Sequence, residues 1–348
     1  MKKKEKSIVK IALFNHKGGV GKTTLTINIV NSIAKFGYKV LIVDADPQCN
    51  ISAFYLDEEK LDKILGESND EDIQDSGTIW SSIKPVVNGR GDIKKVKIHS
   101  VKHNENIFLI PGDVYLSNYE EELPTAWTDS FARKTRGYDV LCAISKAINL
   151  ISKEKEIDIV FYDIGPNVGA LNRAIILDCD YFITPVCADL FSLRALTTVG
   201  TSISKWVENF KTIKELSKND SNLILKGKPQ YIGYISSAFK VNTGDRKALP
   251  HDFWENRMPL KVTKKVIDEL KKIDSFLVQK IEVKGISNKI GAVKHFHSLA
   301  PLAQKYQTAI ANLKEYANPG HKKRIESAEA EFDKIAKEIL KRIGLSAK

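Results

Sequence analysis

The residues best suited to chemistry lie between Phe14 and Thr24. Three glycines (Gly18, Gly19 and Gly21) are interleaved there with Lys17, Val20 and Lys22 and followed by Thr23 and Thr24. Glycines let the backbone turn so that successive N–H groups point inward, and such donors, with the positive end of a following helix, suit a polyphosphate. Lys22 adds a charge that reaches β- and γ-phosphates, and the Thr23 hydroxyl is placed to ligate Mg²⁺. Three carboxylates stand in comparable positions, Asp44 and Asp46 after one apolar run and Asp163 after another. General-base work requires a carboxylate within hydrogen-bond reach of a water, and Asp163 reads as the acid that holds Mg²⁺. His295 and His297 alternate, but no third ligand is in view, so they read as ordinary polar residues.

The elements that must position these groups follow from apolar spacing. Ile11 to Phe14 reads as a buried strand, and Leu25, Ile27, Ile29, Val30 and Ile33 continue past the glycines at helical spacing. Strand, glycine loop and helix in that order turn a text pattern into a structural statement. Val40 to Val43 is a second strand with Asp44 and Asp46 at its carboxyl end, the edge where ligands of open α/β sheets collect. Ile107 to Asp113, Ile157 to Tyr162, Tyr181 to Val186 and Gly227 to Phe239 read as further strands. Helices are predicted for Tyr138 to Ile151, Ala170 to Leu177 and Leu193 to Phe210, with a short one ending near Pro85. The stretch from Val114 to Lys134 carries no clear period. Buried strands alternating with amphipathic helices predict an α/β fold, a mostly parallel, twisted sheet covered on both faces.

The loop departs from the usual phosphate-binding pattern: His16 stands where a glycine is common, and Lys17 sits at the entrance. This resembles the deviant Walker A loop of the ParA/MinD ATPases, and the fold implied is that of a P-loop NTPase with helical additions. The resemblance extends to Asp44, Asp46, Pro47 and Gln48, which match the family's Asp-x-Asp-Pro-Gln segment, and to the block from Ile157 to Val186, with Pro185 in the family's Pro-Val position. It covers roughly Ile8 to Leu313. It departs at Ile164, Gly165 and Pro166, where the family commonly has Cys-Pro-Pro. The resemblance implies ATP and Mg²⁺ as cofactors and a homodimer when ATP is bound. It implies that Lys17 reaches the partner's nucleotide, that Asp46 orients or activates the attacking water, and that Asp44 lies near the magnesium and Lys22.

Composition narrows the setting. The 348 residues carry 54 Lys and Arg against 43 Asp and Glu, a net charge of +11 that favours polyanionic partners. Four cysteines show no paired metal spacing and read as reduced thiols of a cytoplasmic protein. No apolar run is long enough to span a membrane, and the lysine-rich start leads into a strand rather than a signal sequence. Arg257, Lys261, Lys264, Lys265, Lys271 and Lys272 form an exposed basic stripe on a helix whose apolar side is Val262, Val266, Ile267 and Leu270. That stripe reads either as DNA-binding surface or as a solvated face. Residues 1–317 are expected to form the ATPase domain and 318–348 a basic amphipathic helix that packs on the core or dimerises, binds DNA, or lies on a membrane. The implied role is a partitioning ATPase with non-specific DNA and a ParB-like activator, nucleoid-associated in that case. A MinD-like membrane-surface protein, a metabolic or cofactor-assembly ATPase, and a ParA-like ATPase recruited to defence or conjugation are the alternatives.

Overall fold

Alternation along the central strands decides the layering. In β1 (Val9–Leu13), Ile11 and Leu13 join one buried cluster and Ala12 the other. The same split separates Val40 and Ile42 from Leu41 and Val43 in β2 (Val40–Asp44), and Ile159 and Phe161 from Val160 and Tyr162 in β5 (Ile159–Asp163). Strands apolar on both sides must be covered on both sides, as parallel sheets are. The structure is a computed structural model and describes residues 8–67, 77–217, 221–239, 253–279, 288–294, 296, 298–316 and 318–347. The expectations for His295 and His297 lie outside the described residues.

The sheet has eight strands in the order β3-β4-β2-β5-β1-β6-β7-β8. β3 (His99–Val101) is antiparallel to β4 (Asn104–Ile110), and all other pairings are parallel. β6 (Tyr181–Cys187), β7 (Gln230–Phe239) and β8 (Lys289–Lys294) complete it. Two strands escape the sequence reading. β3 is three residues long, and β8 carries no long apolar run to announce it.

One face carries α1 (Lys22–Lys35) and the final helix, Pro319–Arg342. The other carries α4 (Ile79–Val87), α5 (Leu116–Phe131), α6 (Thr135–Glu154), α7 (Ala170–Asp178) and α8 (Leu190–Ser217), with the helical run Met258–Val262, Thr263–Ile267 and Asp268–Ile273 packed on α8. Two helices differ from expectation. α4 runs two residues past Pro85, because its start is fixed by a capping box in which Thr78 and Ser81 exchange side-chain to backbone bonds. The unreadable stretch is α5, with Pro124 inside it, and its buried residues include Tyr119, Leu123 and Trp127.

Phe332, Ile335, Ala336, Ile339 and Leu340 of the final helix are buried against α1 and β8, so this apolar side completes the core rather than facing lipid. Gly291 allows the approach: a Cβ there would lie 2.5 Å from Ile335 Cγ1. Arg342 ties the helix down by donating to the carbonyls of Ile232 at 2.6 Å and Lys289 at 3.1 Å. No helix among the described residues is long and apolar enough to cross a membrane.

Candidate nucleotide site

The strand order brings the chemistry together. β5 lies between β1 and β2, so its tip is flanked on one side by the loop leaving β1 and on the other by the end of β2. In register, Asp44 sits beside Asp163. The loop itself turns on Gly19 (φ 71°) and Gly21 (φ 79°), left-handed conformations open to glycine and strained for a side chain. A Cβ at either position would meet nothing within 4 Å, so it is the backbone conformation and not crowding that calls for glycine there. Gly21 caps α1 without a side chain, leaving first-turn N–H groups to serve an anion. Gly18 lies against the loop after β5, 4.0 Å from Pro166 Cβ by its own notional Cβ.

Each predicted side chain can be located. Lys22 is buried, with its Nζ donating to the Asn15 carbonyl at 3.1 Å. Burial lowers its pKa, and the charges of Asp163 and then Asp46 oppose that fall. Thr23 Oγ1 donates to Asp163 Oδ2 at 2.8 Å, while Asp163 Oδ1 is buried without a hydrogen-bond partner. Burial first, and then the neighbouring Asp44 carboxylate, push the Asp163 pKa up to about 8. Asp46 is buried at the turn after β2, its Oδ1 accepting the Gln48 N–H at 3.0 Å. A Cβ on Gly165 would come within 3.2 Å of that oxygen, so the loops after β2 and β5 touch. The Val20 carbonyl accepts the Ser237 hydroxyl at 2.7 Å, fixing the loop to β7, and the Thr24 carbonyl accepts Asn28 Nδ2 within α1.

Three of these residues also make bonds inside the chain that the sequence did not announce. Asp44 is fully buried, and its Oδ2 takes both the Ser52 hydroxyl at 2.6 Å and the Ser52 N–H at 3.0 Å, while Oδ1 takes the Asp46 N–H. Burial pushes its pKa up to about 7. Its carboxylate shapes the turn that presents Asp46, and it stands beside Asp163 in the sheet. Pro185 acts through its carbonyl, which accepts Asn15 Nδ2 at 2.8 Å. Lys17 is turned along its own chain: its Nζ lies 2.5 Å from Asp189 Oδ2 and 3.1 Å from Ser192 Oγ.

Several participants escaped the sequence reading. Asn15 links β1 to β6 through Pro185, accepts the Lys17 N–H at 3.0 Å and offers its carbonyl to Lys22. Asn172 Nδ2 donates to the carbonyls of Gly165 and Asn167, both at 2.9 Å, and so pins the loop after Asp163. Asp189 caps α8 by accepting the Ser192 N–H at 2.8 Å. Only the last had a local signal, a polar residue three places before Ser192 at the start of an apolar helical run.

The donor set suits a divalent cation. A hydroxyl and a carboxylate with one unpartnered oxygen are hard oxygen ligands of the kind Mg²⁺ takes. The adjoining Asp44 carboxylate also raises the pKa of Asp163, which a cation would relieve. Away from this edge, Lys264, Lys271 and Lys272 are exposed on the run packed against α8, whose Lys205 and Lys211 are exposed too.

Residues 8–217 match the family profile AAA_31, an AAA domain. Soj, the sporulation initiation inhibitor protein of Bacillus subtilis, is 28% identical over 193 residues, which cover 56% of this chain and 64% of Soj. Across the curated relatives the match spans between 52% and 74% of the relative's own length. Among solved structures, protein DIP2308 from Corynebacterium diphtheriae superposes with a TM-score of 0.69 at 23% identity, over 96% of this chain and 98% of that one. A putative plasmid partition protein from Borrelia burgdorferi, bound to AMPPNP, gives 0.56 at 19% identity, over 97% and 100% of the two chains. These two share the fold. With a profile matched over most of the sheet, and a glycine loop opening between two acidic strand tips, the chain belongs to the ParA-type P-loop ATPase family.

Proposed function

We propose that this chain binds ATP with Mg²⁺, dimerises around it and hydrolyses it, as a switch in DNA partitioning. The observation that carries the reading is the convergence of Lys22, Thr23, Asp46 and Asp163 at the mouth of the glycine loop. Backbone N–H groups of Gly18 to Thr24 take the phosphates, and Lys22 takes the β- and γ-phosphate charge. Thr23 and Asp163 would hold Mg²⁺, which would supply charge neutralisation at the β- and γ-phosphates. Asp46 Oδ2, its other oxygen being committed to Gln48, orients a water in line with the γ-phosphorus and takes its proton. The new bond is from water oxygen to γ-phosphorus, the bond to the β–γ bridging oxygen breaks, and ADP leaves.

Lys17 completes the site of a second copy, stabilising charge that develops in its transition state. Hydrolysis then removes what holds the two copies together. The Borrelia neighbour's AMPPNP and the chromosome partitioning protein of Caulobacter vibrioides, 26% identical over 196 residues, support the nucleotide and the partitioning role. The exposed lysines on α8 and on the run from Met258 to Ile273, with the net charge of +11, support a non-specific DNA surface, and a ParB-like protein is the activator this reading calls for. Lys17→Ala tests it. ATP binding is expected to survive while ATP-dependent dimerisation and turnover are lost. A variant that hydrolyses ATP normally as a monomer refutes the cross-subunit role. For the DNA surface, Lys264→Ala with Lys271→Ala should lower the salt slope of binding by about one per lysine.

A further inference from the structure

Lys17 carries the most demanding task in that scheme, yet its ammonium is engaged inside its own chain. Asp189 Oδ2 and Ser192 Oγ receive it at 2.5 and 3.1 Å, across 172 and 175 residues of sequence. The Asp189 carboxylate also accepts the Ser192 N–H at 2.8 Å, so the helix start orients the acceptor. The backbone N–H of Lys17 is held in turn by Asn15 at 3.0 Å. The pair is half-buried, with the lysine side chain 25% exposed and the aspartate 36%, enough to strengthen it over a surface pair without trapping it. Leu190 and Phe191, the residues directly after Asp189, are 39% and 67% exposed. The turn that grips Lys17 thus displays apolar side chains at the same edge of the sheet as the glycine loop.

We propose that Asp189 is a cis latch on Lys17: it holds the ammonium against its own chain, and this ion pair must open before Lys17 can reach a nucleotide bound by a second copy. The proposal rests on the dimeric reading above and adds its control point. The second copy covers Leu190 and Phe191 as it arrives, bearing directly on the turn that carries Asp189. Asp189 is here a positioning residue, acting through Lys17. The latch sets a threshold: ATP alone leaves Lys17 in cis, and only the encounter of two loaded copies exchanges the aspartate for phosphate. In a two-fold dimer two latches open, so their effects multiply.

Asp189→Asn isolates the charge, because asparagine caps a helix about as well as aspartate. The first readout is the reactivity of the Lys17 amine in the nucleotide-free, full-length protein, measured by limited acylation and mass spectrometry. Lys17 is expected to be protected in the parent and more reactive in Asp189→Asn. The second is the dimer dissociation constant with AMPPNP and Mg²⁺, by analytical ultracentrifugation. A half-exposed pair is worth about five-fold, so a dimer that opens two is expected to tighten by roughly 25-fold. Gain of dimer is a direction that mere structural damage does not produce. Unchanged acylation overturns the latch, and so does greater acylation with an unchanged or weakened dimer. If neither protein dimerises with AMPPNP while Lys17 reactivity still rises, the ion pair stands but the dimeric reading falls, and the latch's regulatory role falls with it.

Discussion

A buried ion pair beneath the nucleotide edge offers the sharpest test of how β1 is held. Lys10 of β1 is buried, and its Nζ donates to both carboxylate oxygens of Asp178, each at 2.8 Å. Asp178 ends α7 and also accepts the Ser145 hydroxyl of α6 at 2.5 Å and the Tyr162 hydroxyl of β5 at 2.7 Å. The side chains of Lys10 and Asp178 are only 3% and 5% exposed. One carboxylate therefore ties together the strand that feeds the glycine loop, the strand that ends in Asp163, and two helices. Asp178→Leu leaves an ammonium with no counter-charge in the interior, and breaking such a pair costs about 3–5 kcal/mol. The Tyr162 hydroxyl, orphaned with it, places the expected loss at the upper end of that range, although Ser145 Oγ still accepts from Lys10 Nζ. In urea titrations, with a slope of about 3 kcal/mol per M, the midpoint should fall by roughly 1.3–1.7 M. Adding Lys10→Met removes the stranded charge, so the double variant should regain most of the loss, because replacing a buried pair by apolar groups is often near neutral. The reasoning is refuted if Asp178→Leu alone costs less than about 1 kcal/mol, or if the two single losses simply add in the double variant.

Three further outcomes follow from the periphery. Burial, reinforced by the charges of Lys60 and Lys97, lowers the His99 pKa to about 4. The folded chain therefore favours neutral His99, and stability present above about pH 6.5 is lost as pH falls toward 4, by roughly 3 kcal/mol. His99→Gln should flatten that limb of the unfolding free energy against pH, and an unchanged limb would sink the assignment. Ile335→Ala, which opens a cavity between the final helix and Gly291, should cost about 2–5 kcal/mol in urea unfolding. The folded parent should stay in the supernatant when anionic vesicles are sedimented, since the helix's apolar side is already covered; pelleting that depends on Ile335 would contradict that packing.

Much of this protein was legible in its sequence because the signals are local. Gly18, Gly19 and Gly21 between an apolar run and a helical period announce a loop that turns its amides inward, and the structure gives Gly19 and Gly21 the positive φ that requires them. Six of the eight strands announced themselves as apolar runs, and Asp44, Asp46 and Asp163 stand at strand ends where the runs stop. Sequence spacing was silent on which ends would be neighbours. β5 enters the sheet between β1 and β2 although well over a hundred residues separate it from either, and that insertion alone sets Asp163 against Thr23. Asp44 and Asp46 look equivalent as text, yet Ser52 of α2 (Asn50–Tyr55), itself held by the Gly112 N–H just after β4, engages the first, while Asp46 lies against the loop after β5. The grip of Asp189 on Lys17, the tie from Lys10 to Asp178 and the burial of the final helix likewise join residues far apart in the chain. Backbone conformation and periodicity are written in neighbouring residues. The pairing of charges is decided by which strands lie side by side, and only the folded sheet fixes that.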